Sequence, residues 1–418
     1  MKRILISILI LLAAGASCYA QPSAEIEEYL REFPQRAAFN LHSYEFLPVH
    51  DTPAPAGFKP FYISHYGRHG SRSGSAVYRA PRLVKWFEQA AEEGILTPAG
   101  DSLLGYARLV AERENNMEGR LTPRGAREHE QLAQRMYKRY KPVFRKGEVH
   151  AISSTVPRCL VSMSAFTSSL KACKKDLVIT WDCGEAYQKT ITRNSNKKIQ
   201  AEVDEIIKDS LNFEVDVDTV AVLSRFFTDP ERGREICRTT NRLISSVYYV
   251  ARSAEAFDID DNLFGFLPWD LVVHRSRRSV VSAYLGQCNS LALGDQRMPR
   301  SEKLALEIVR KADEAIAGAP VAADLCFGHD WPFLGICAFL GLDGYDARLS
   351  VEEAYNSWNG SLLCPFAANL QMIFYRNRKG EVLVKFLANE RETLVPALEA
   401  VSGPYYRWDD VRRSIVER

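Results

Sequence analysis

The 418-residue chain lacks several features that would assign it to common functional classes. It has no Cys-x-x-Cys pair and no His/Cys cluster with the spacing of a zinc site, which argues against a zinc centre. It has no basic arm or sustained Lys/Arg stripe, and its formal net charge is only +2, so general nucleic-acid binding is disfavoured. Beyond the amino terminus it has no apolar run typical of a transmembrane helix. With 46% hydrophobic residues, the composition is that of a globular protein with a full core.

The amino-terminal segment has the pattern of a secretory signal. Met1–Arg3 supplies positive charge, and the apolar run Ile4–Ala16 is too short to span a bilayer comfortably. We therefore expect residues 1–20 to be a signal peptide, with the mature chain starting at Gln21 and exported to the periplasm or secreted. A lipoprotein with Cys18 as its new amino terminus is the alternative. Gly15–Ser17 lacks the Leu usual before such a cysteine, so we favour the cleaved signal.

Eight further cysteines leave disulfide pairing open. Export would permit disulfides. Cys326 and Cys337, however, lie in strongly apolar surroundings that are typical of core thiols.

Strand and helix patterns alternate in the first half of the chain and return near its end. This alternation predicts an α/β fold with a mostly parallel sheet flanked by helices. Between 186 and 299 strand patterns are scarce and helical patterns dominate. We therefore expect an α/β domain formed by residues 21–185 and 300–418, with a helical cap inserted at 186–299. The predicted strands are Phe61–Ser64, His150–Ser154 and Asp324–Phe327.

Three predicted helix starts share one capping pattern, in which a threonine shortly precedes a proline. Leu-Thr-Pro-x-Gly occurs twice, and we expect Thr97 and Thr122 to be N-caps with proline in the first turn. We expect Thr155 to cap a third helix, with Pro157 in its first turn. Arg158 would then lie at the positive end of this helix.

The most informative segment is Tyr62–Arg72, which places His69 between Arg68 and Arg72 at the end of a predicted strand. Guanidinium groups bind phosphoryl oxygens in bidentate fashion, and a neutral histidine nitrogen can attack phosphorus in line. Gly70 permits a sharp turn and a close approach of backbone amides to an anion. The segment thus predicts a phosphate site. An exposed basic turn, the alternative, would account for a single arginine better than for the whole pattern.

A second candidate site is formed by His329 and Asp330, which again follow a predicted strand and precede a predicted helix, Phe333–Leu340. In open α/β sheets, ligands gather at the carboxyl ends of the strands, so we expect His69 and His329 to face one crevice. The alternative is that Asp330 is only the N-cap of the helix and His329 an ordinary loop residue.

In order and spacing, these segments resemble the acid phosphatase branch of the histidine phosphatase superfamily. The resemblance implies that His69 is the phosphorylated nucleophile and Asp330 the general acid. It also implies an α/β domain with a helical cap, and catalysis without a metal or other cofactor. The phosphate-binding residues that it implies are Arg68, Arg72, Arg158 and His329. The segments that carry it are Arg68–Arg72, 121–140, Ser154–Arg158 and Gly328–Asp330.

Such a site predicts an acidic pH optimum. Neighbouring cations lower the pKa of a histidine, which would keep His69 neutral and nucleophilic in mildly acidic solution. Asp330 must carry a proton before it can donate one to a leaving alkoxide.

We therefore expect an exported, metal-independent phosphomonoesterase that acts on a small-molecule phosphate ester. Inositol phosphates such as phytate are the first substrate candidates, because this branch contains phytases and multiple inositol polyphosphate phosphatases. The latter resemble His-Ala-Glu at the second site, whereas this chain has His329-Asp330-Trp331. The alternatives are a broad acid phosphatase for sugar phosphates or nucleotides, a mutase of the same superfamily, and a catalytically silent anion-binding protein.

Two basic runs remain, His274–Arg278 and Arg193 with Lys197 and Lys198. We interpret both as solvated faces, with a rim for polyphosphorylated substrates as the alternative. The cap itself is expected to overhang the crevice and to set leaving-group preference.

Overall fold

The computed structural model describes residues 23–145, 147–191, 197–211 and 215–418. The predicted signal peptide, Cys18, the expected start at Gln21 and the basic residue Arg193 lie outside the described residues. None of the described helices is long and apolar enough to cross a membrane.

A mixed sheet of eight strands forms the centre of the described part of the chain. Its order is β3-β2-β4-β1-β5-β6-β7, and β8 also pairs with β6. Strands β3, β2, β4 and β1 are parallel, while β5 to β8 extend the sheet in antiparallel fashion. The strands are β1 (Lys59–Arg68), β2 (Glu148–Ser153), β3 (Ile179–Asp182), β4 (Val321–Gly328), β5 (Asn369–Arg376), β6 (Val382–Ala388), β7 (Arg391–Glu392) and β8 (Tyr405–Arg407).

Helices surround this sheet. They are α1 (Ala24–Glu32), α2 (Arg79–Glu92), α3 (Pro98–Arg113), α4 (Pro123–Tyr140), α5 (Pro157–Cys173), α6 (Glu185–Ile191), α7 (Lys197–Ser210), α8 (Thr219–Phe226), α9 (Pro230–Cys237), α10 (Thr240–Ala254), α11 (Trp269–Gln287), α12 (Gly294–Arg297), α13 (Glu302–Ile316), α14 (Asp330–Phe339), α15 (Val351–Ser357), α16 (Gly360–Leu363) and α17 (Trp408–Val416). Short 3-10 helices cover Pro34–Leu41, Val143–Arg145, Glu255–Phe257, Leu263–Phe266 and Met298–Ser301.

Both faces of the sheet are buried under helices. Successive side chains of a strand point to opposite faces, and in β1 Tyr62 and Tyr66 join the layer that contains α11, α13 and α14. Ile63 points the other way, into the layer with α4 and α5. The predicted α/β fold with a mostly parallel sheet flanked by helices is confirmed.

A further apolar cluster lies outside these two layers and consists of helices alone. It joins α2 and α3 to α8, α9 and α10. Helix α7 packs instead with the layer beside the sheet, and α11 contributes to both, with Leu271 in the all-helical cluster and Tyr284 in that layer. The described residues between 186 and 299 form no strand. Their helices therefore divide between two cores, and the boundary of the predicted cap stays a prediction.

Local capping chemistry explains several helix starts. As predicted, the hydroxyl groups of Thr97 and Thr122 each accept a hydrogen bond from the backbone N–H three residues later, that of Gly100 and Gly125 respectively. The prediction for Thr155 is wrong, because Val156 occupies the N-cap position of α5.

The backbone N–H of Val156 is bonded instead by the side chain of Ser154, at 3.3 Å. Pro157 still provides the first residue of the helix, so Arg158 lies in its first turn as expected.

Candidate functional site

The carboxyl ends of three adjacent parallel strands bring the sequence-predicted residues together. β1 and β4 run in register to their last residues, Arg68 and Gly328. The residues that follow, His69 and His329, face each other with their ring centroids 5.7 Å apart and their planes nearly perpendicular. β2 ends beside β4 and leads directly into α5, which carries Arg158.

The loop after β1 packs tightly against the start of α4. A Cβ atom at Gly70 would lie 2.4 Å from the carbonyl oxygen of Gly125, and one at Gly125 would lie 2.2 Å from the carbonyl oxygen of Ser71. Both positions therefore require glycine. The N–H of Gly70 donates to the hydroxyl of Ser162 on α5, at 3.1 Å.

A buried carboxylate that the sequence analysis did not select fixes this loop. Glu128 on α4 accepts hydrogen bonds from the N–H and the hydroxyl of Ser71, at 2.7 and 2.6 Å, and from the N–H of Tyr44 at 3.1 Å. Burial raises the pKa of Glu128. A signal was present, because Glu128 continues the buried stripe of Leu132 and Met136 at four-residue spacing.

The geometry of His69 leaves one ring nitrogen available. Its Nδ1 lies 2.9 Å from the carbonyl oxygen of Gly70, which can only accept, so Nδ1 carries the hydrogen and Nε2 the lone pair. Burial holds the pKa of His69 well below its usual value, and the nearby cations Arg68, Arg158 and Arg72 lower it further. A neutral imidazole with a free Nε2 is the form needed for nucleophilic attack.

Arg68 is completely buried and held by backbone carbonyl groups. Its Nη1 donates to the carbonyl oxygens of Asn40, Cys364 and Pro365, at 2.6, 3.2 and 2.9 Å. Its guanidinium carbon lies 4.7 Å from the ring centroid of Phe366. These contacts fix the guanidinium plane and leave Nη2 directed towards Asp330, at 3.5 Å.

Asn40 is a second residue that the sequence analysis missed. Its side chain donates to Oδ2 of Asp330 at 2.7 Å, and its carbonyl oxygen accepts from Arg68. The preceding Phe39 has a φ of 55° and a ψ of −118°. Such a backbone conformation costs about 1–3 kcal/mol in a non-glycine residue and is concentrated at functional sites. Nothing in the local sequence of this 3-10 helix indicates the role.

Asp330 is the first residue of α14, and His329 occupies the N-cap position. The alternative reading of Asp330 as the N-cap is therefore wrong. Its two carboxyl oxygens accept hydrogen bonds from Asn40 and from the N–H of Trp331, at 2.7 and 3.0 Å. The side chain retains 15% exposure, so it can reach solvent from the crevice.

His329, which directly follows β4, contacts two residues that follow β2. Nη2 of Arg158 lies 3.3 Å from Nδ1 of His329, and Nε2 lies 3.1 Å from the hydroxyl of Ser154. A guanidinium group only donates, so Nδ1 accepts and the hydrogen of a neutral ring is on Nε2.

Arg72 completes the set of cations and lies at the boundary with an open crevice. Burial lowers the pKa of Arg72 to about 10, with Arg158 and Arg68 as further causes. The crevice has a volume of about 410 Å³. Besides Arg72, its lining residues are Phe39, Asn40, Leu41, Gln200, Asp204, Ile207, Arg278, Ser279, Ser282, Ala283, Asp330 and Trp331.

In the part of the chain that the structure describes, no group of three or more His, Cys, Asp or Glu side chains could hold a metal ion. The eight cysteines from Cys159 to Cys364 are free thiols, and Cys326 and Cys337 are buried as expected of core thiols.

Several solved structures share this fold. The chain is similar to the multiple inositol polyphosphate phosphatase of Bifidobacterium longum in complex with phosphate, with a TM-score of 0.73 and 16% identity over 91% of this chain and 97% of that chain. The phytase of D. castellii has a TM-score of 0.64 and 13% identity over 92% and 85%. The phytase of Hafnia alvei has a TM-score of 0.50 and 12% identity over 87% and 98%.

At these identities the likeness establishes the fold. The chain has the fold of the histidine acid phosphatases and phytases, which confirms the resemblance seen in its sequence. No protein-family model and no curated protein matches the chain.

Proposed function

We propose that the chain is a phosphomonoester hydrolase that forms a phosphohistidine on His69. The observation that carries this proposal is the state of the His69 ring: Nδ1 is bonded to the carbonyl of Gly70, which leaves the lone pair on Nε2. Arg68, Arg158 and Arg72 lie close enough to lower the pKa of this ring, after burial, which is the largest cause. Phosphoryl transfer depends mainly on positioning and charge stabilisation, and this arrangement supplies both.

In the first step, Nε2 of His69 attacks phosphorus and the ester P–O bond breaks. Arg68, Arg72, Arg158 and His329 stabilise the charge on the three equatorial oxygens. The leaving alkoxide takes a proton from the carboxyl group of Asp330, which becomes a carboxylate. The products are the alcohol and a phosphohistidine.

In the second step, water attacks phosphorus and gives a proton to the carboxylate of Asp330. The P–N bond breaks, inorganic phosphate leaves and neutral His69 is regenerated. The proton that Asp330 gives to the alcohol in the first step is replaced by one from water in the second, so water is the only co-reactant.

The site is suited to acidic solution. Because the pKa of His69 is held well below its usual value, the nucleophile stays neutral under mildly acidic conditions. Both oxygens of Asp330 accept hydrogen bonds, so the acid must take up its proton from solution before it can donate. We expect the rate to fall as the pH rises, since the acid is then deprotonated.

Inositol phosphates are the substrate class that we propose first. Solved structures of this fold include the Bifidobacterium longum enzyme in complex with inositol hexasulfate. The open crevice above the phosphate site carries a further cation, Arg278, together with two serine hydroxyl groups, which suits a polar substrate. A broad acid phosphatase for sugar phosphates or nucleotides is the alternative, favoured by His329-Asp330-Trp331 in place of His-Ala-Glu.

We further propose that the chain is exported and that residues 186–299 act as the cap. α7 and α11, both within this range, supply one wall of the crevice. The cap would then contact the leaving group, while the sheet edge binds the phosphoryl group that is transferred.

The decisive experiment is single-turnover trapping with a 32P-labelled phosphomonoester. We expect acid-labile, alkali-stable label on the wild-type protein and none on His69→Ala, which should also release no phosphate while keeping its fold. His50→Ala is the matched control, because His50 is exposed. Phosphate release by His69→Ala at a near-normal rate would overturn the mechanism. If the wild-type protein hydrolyses no ester, the alternative of a catalytically silent anion-binding protein is favoured.

A further inference from the structure

A group of three arginines lies beside the catalytic site and has no role in the mechanism above. Arg79 is the first residue of α2, Arg252 is in the last turn of α10, and Arg275 is in α11. We call these three residues the second arginine cluster. All three are partly buried.

Two neighbouring tyrosines of α10 hold the cluster together. The guanidinium carbons of Arg79 and Arg252 lie 6.0 and 5.4 Å from the ring centroid of Tyr249. That of Arg275 lies 5.6 Å from the ring centroid of Tyr248. Burial lowers the pKa of Arg275, and Arg79 and Arg252 lower it further, as expected of like charges close together.

One buried carboxylate, that of Glu114, acts to raise the pKa of Arg252, but it forms no ion pair with the cluster. Among the described residues, none of the three arginines forms an ion pair within 4 Å. The Nε atoms of Arg79 and Arg252 are buried without a hydrogen-bond partner. The nearby carboxylate of Glu114 is instead engaged by the hydroxyl of Tyr249, at 2.7 Å.

The cluster is coupled to the phosphate site through the loop after β1. A Cβ atom at Gly74 would lie 2.3 Å from the hydroxyl of Tyr249, so this loop passes directly over the ring that carries Arg79 and Arg252. Arg252 also contributes to the lowered pKa of Arg72. On α11, Arg275 lies one turn before Arg278, which lines the crevice.

A structural role explains this arrangement poorly. Three partly buried guanidinium groups share one nearby carboxylate, that of Glu114, and an excess of desolvated charge of one sign lowers the stability of a fold. Such groups are expected where a ligand supplies the missing charge, at the cost of stability in its absence. A phosphate group matches planar guanidinium donors in charge and geometry.

We propose that Arg79, Arg252 and Arg275 form a second anion site, which binds a phosphate group of the substrate other than the one transferred to His69. The proposal rests on the proposed function for the transfer step. It makes esters with two or more phosphate groups the preferred substrates and assigns the preference to residues on α2, α10 and α11.

The kinetic test compares a polyphosphorylated ester with a singly phosphorylated one. In Arg79→Gln, Arg252→Gln and Arg275→Gln, we expect kcat/KM for inositol hexakisphosphate to fall about 10-fold or more, mostly through KM, because a charge-assisted contact is lost. For p-nitrophenyl phosphate we expect a change below about 2-fold. Arg108→Gln is the matched control, since Arg108 is exposed and paired with Glu88.

A binding test separates failure of this site from failure of the proposed function. In the His69→Ala background, which needs no turnover, we expect titration calorimetry to show weaker binding of inositol hexasulfate when Arg252→Gln is added. If the wild-type protein hydrolyses no ester but Arg252→Gln still weakens hexasulfate binding, only the proposed function fails.

Two results would overturn the second site. One is an equal loss of kcat/KM on both substrates by variants with unchanged thermal midpoints. The other is unchanged binding of inositol hexasulfate. Arg252→Lys should restore part of the affinity, because it keeps the charge without the planar donors.

Discussion

Two groups of buried cations in this protein differ in their counter-charges. At the antiparallel side of the sheet, Lys385 on β6 is 1% exposed and its Nζ lies 2.8 Å from Asp51 and 2.9 Å from Glu392. Arg139 on α4 also binds Asp51, at 2.9 Å. Although burial acts to raise the pKa of Asp51, hydrogen bonds from Arg139 and Lys385 hold it below its ordinary value.

Arg72 and the second arginine cluster, by contrast, form no ion pair within 4 Å with another described residue. Burial lowers the pKa of Arg72 to about 10, with Arg252 as one of the further causes, and within the cluster Arg79 and Arg252 lower the pKa of Arg275. The paired charges hold the strand edge to the loop and helix above it. We propose that the unpaired ones bind an anion that arrives with the substrate.

Apart from the expected loss of all turnover in His69→Ala, the largest effect should follow Asp330→Asn. Proton donation matters for a poor leaving group and little for a stable phenolate, and it is typically worth about 10²–10⁴-fold. We expect a loss of this size on inositol or sugar phosphates and a far smaller one on p-nitrophenyl phosphate. Steady-state assays on both esters check this.

The structure refines the stability expected of the same variant. Asp330 is the first residue of α14, where a negative charge stabilises the helix by about 0.3–1 kcal/mol. The free energy of unfolding should fall by no more than this. A uniform loss of rate on both ester types would count against a proton donor, and an unchanged rate on alkyl phosphates would make Asp330 structural.

Substitution of Lys385, which pairs with Asp51 and Glu392, should lower the stability of the fold and leave catalysis unchanged. Lys385→Met leaves Asp51 and Glu392 without their shared cation, and breaking a buried ion pair typically costs about 3–5 kcal/mol. Asp51 remains 38% exposed, so we expect the lower end, about 3 kcal/mol. Urea unfolding measures the loss. The kcat of the folded fraction on p-nitrophenyl phosphate should not change.

Two buried histidines should make stability fall in acid. Burial lowers the pKa of both His65 and His129 to about 3. Below about pH 6.5 the unfolded chain binds protons that the folded chain does not, so stability falls from there towards pH 3. For one histidine the loss at pH 5 is about 2 kcal/mol.

His129→Leu tests this contribution. Relative to wild type, the variant should gain about 2 kcal/mol between pH 7.5 and pH 5, because it removes one of the two titrating groups. His50→Leu, at an exposed position, is the control and should show no such gain. Equal pH dependence of His129→Leu and wild type in urea unfolding would show that His129 is not held neutral.

Neutralising an arginine of the second arginine cluster should change the stability in the opposite direction from Lys385→Met. Arg252→Met removes a desolvated charge that has no ion pair, so we expect unchanged stability or a gain of about 1 kcal/mol. Thermal unfolding without ligand checks this. A loss as large as that of Lys385→Met would show that both groups are structural and would remove the contrast.

The smallest effect is expected from metal removal. Activity should survive EDTA, since charge stabilisation comes from arginine and histidine side chains. Loss of activity on chelation, with recovery on adding a divalent cation, would indicate a metallophosphatase instead.

The sequence alone determined the features that depend on contacts between residues close together along the chain. The threonine caps before α3 and α4 are of this kind, because each hydroxyl bonds an amide only three residues away. So is the segment around His69, in which Arg68 ends β1 and Gly70 and Arg72 follow within four residues. The resemblance to the histidine phosphatases rests on such local patterns, and it was sufficient for the fold.

Only the tertiary structure decided which distant residues complete the site. Asn40 contacts Asp330 across 290 positions, and Arg79 and Arg252 meet only because Tyr249 lies between α2 and the loop after β1. The wrong cap at Thr155 has the same cause. The N–H of Thr155 donates to Gln188 of α6, while the hydroxyl of Ser154, which also contacts His329, accepts from the N–H of Val156, the N-cap residue of α5. Contacts between elements follow from how the elements pack, and no local pattern records them.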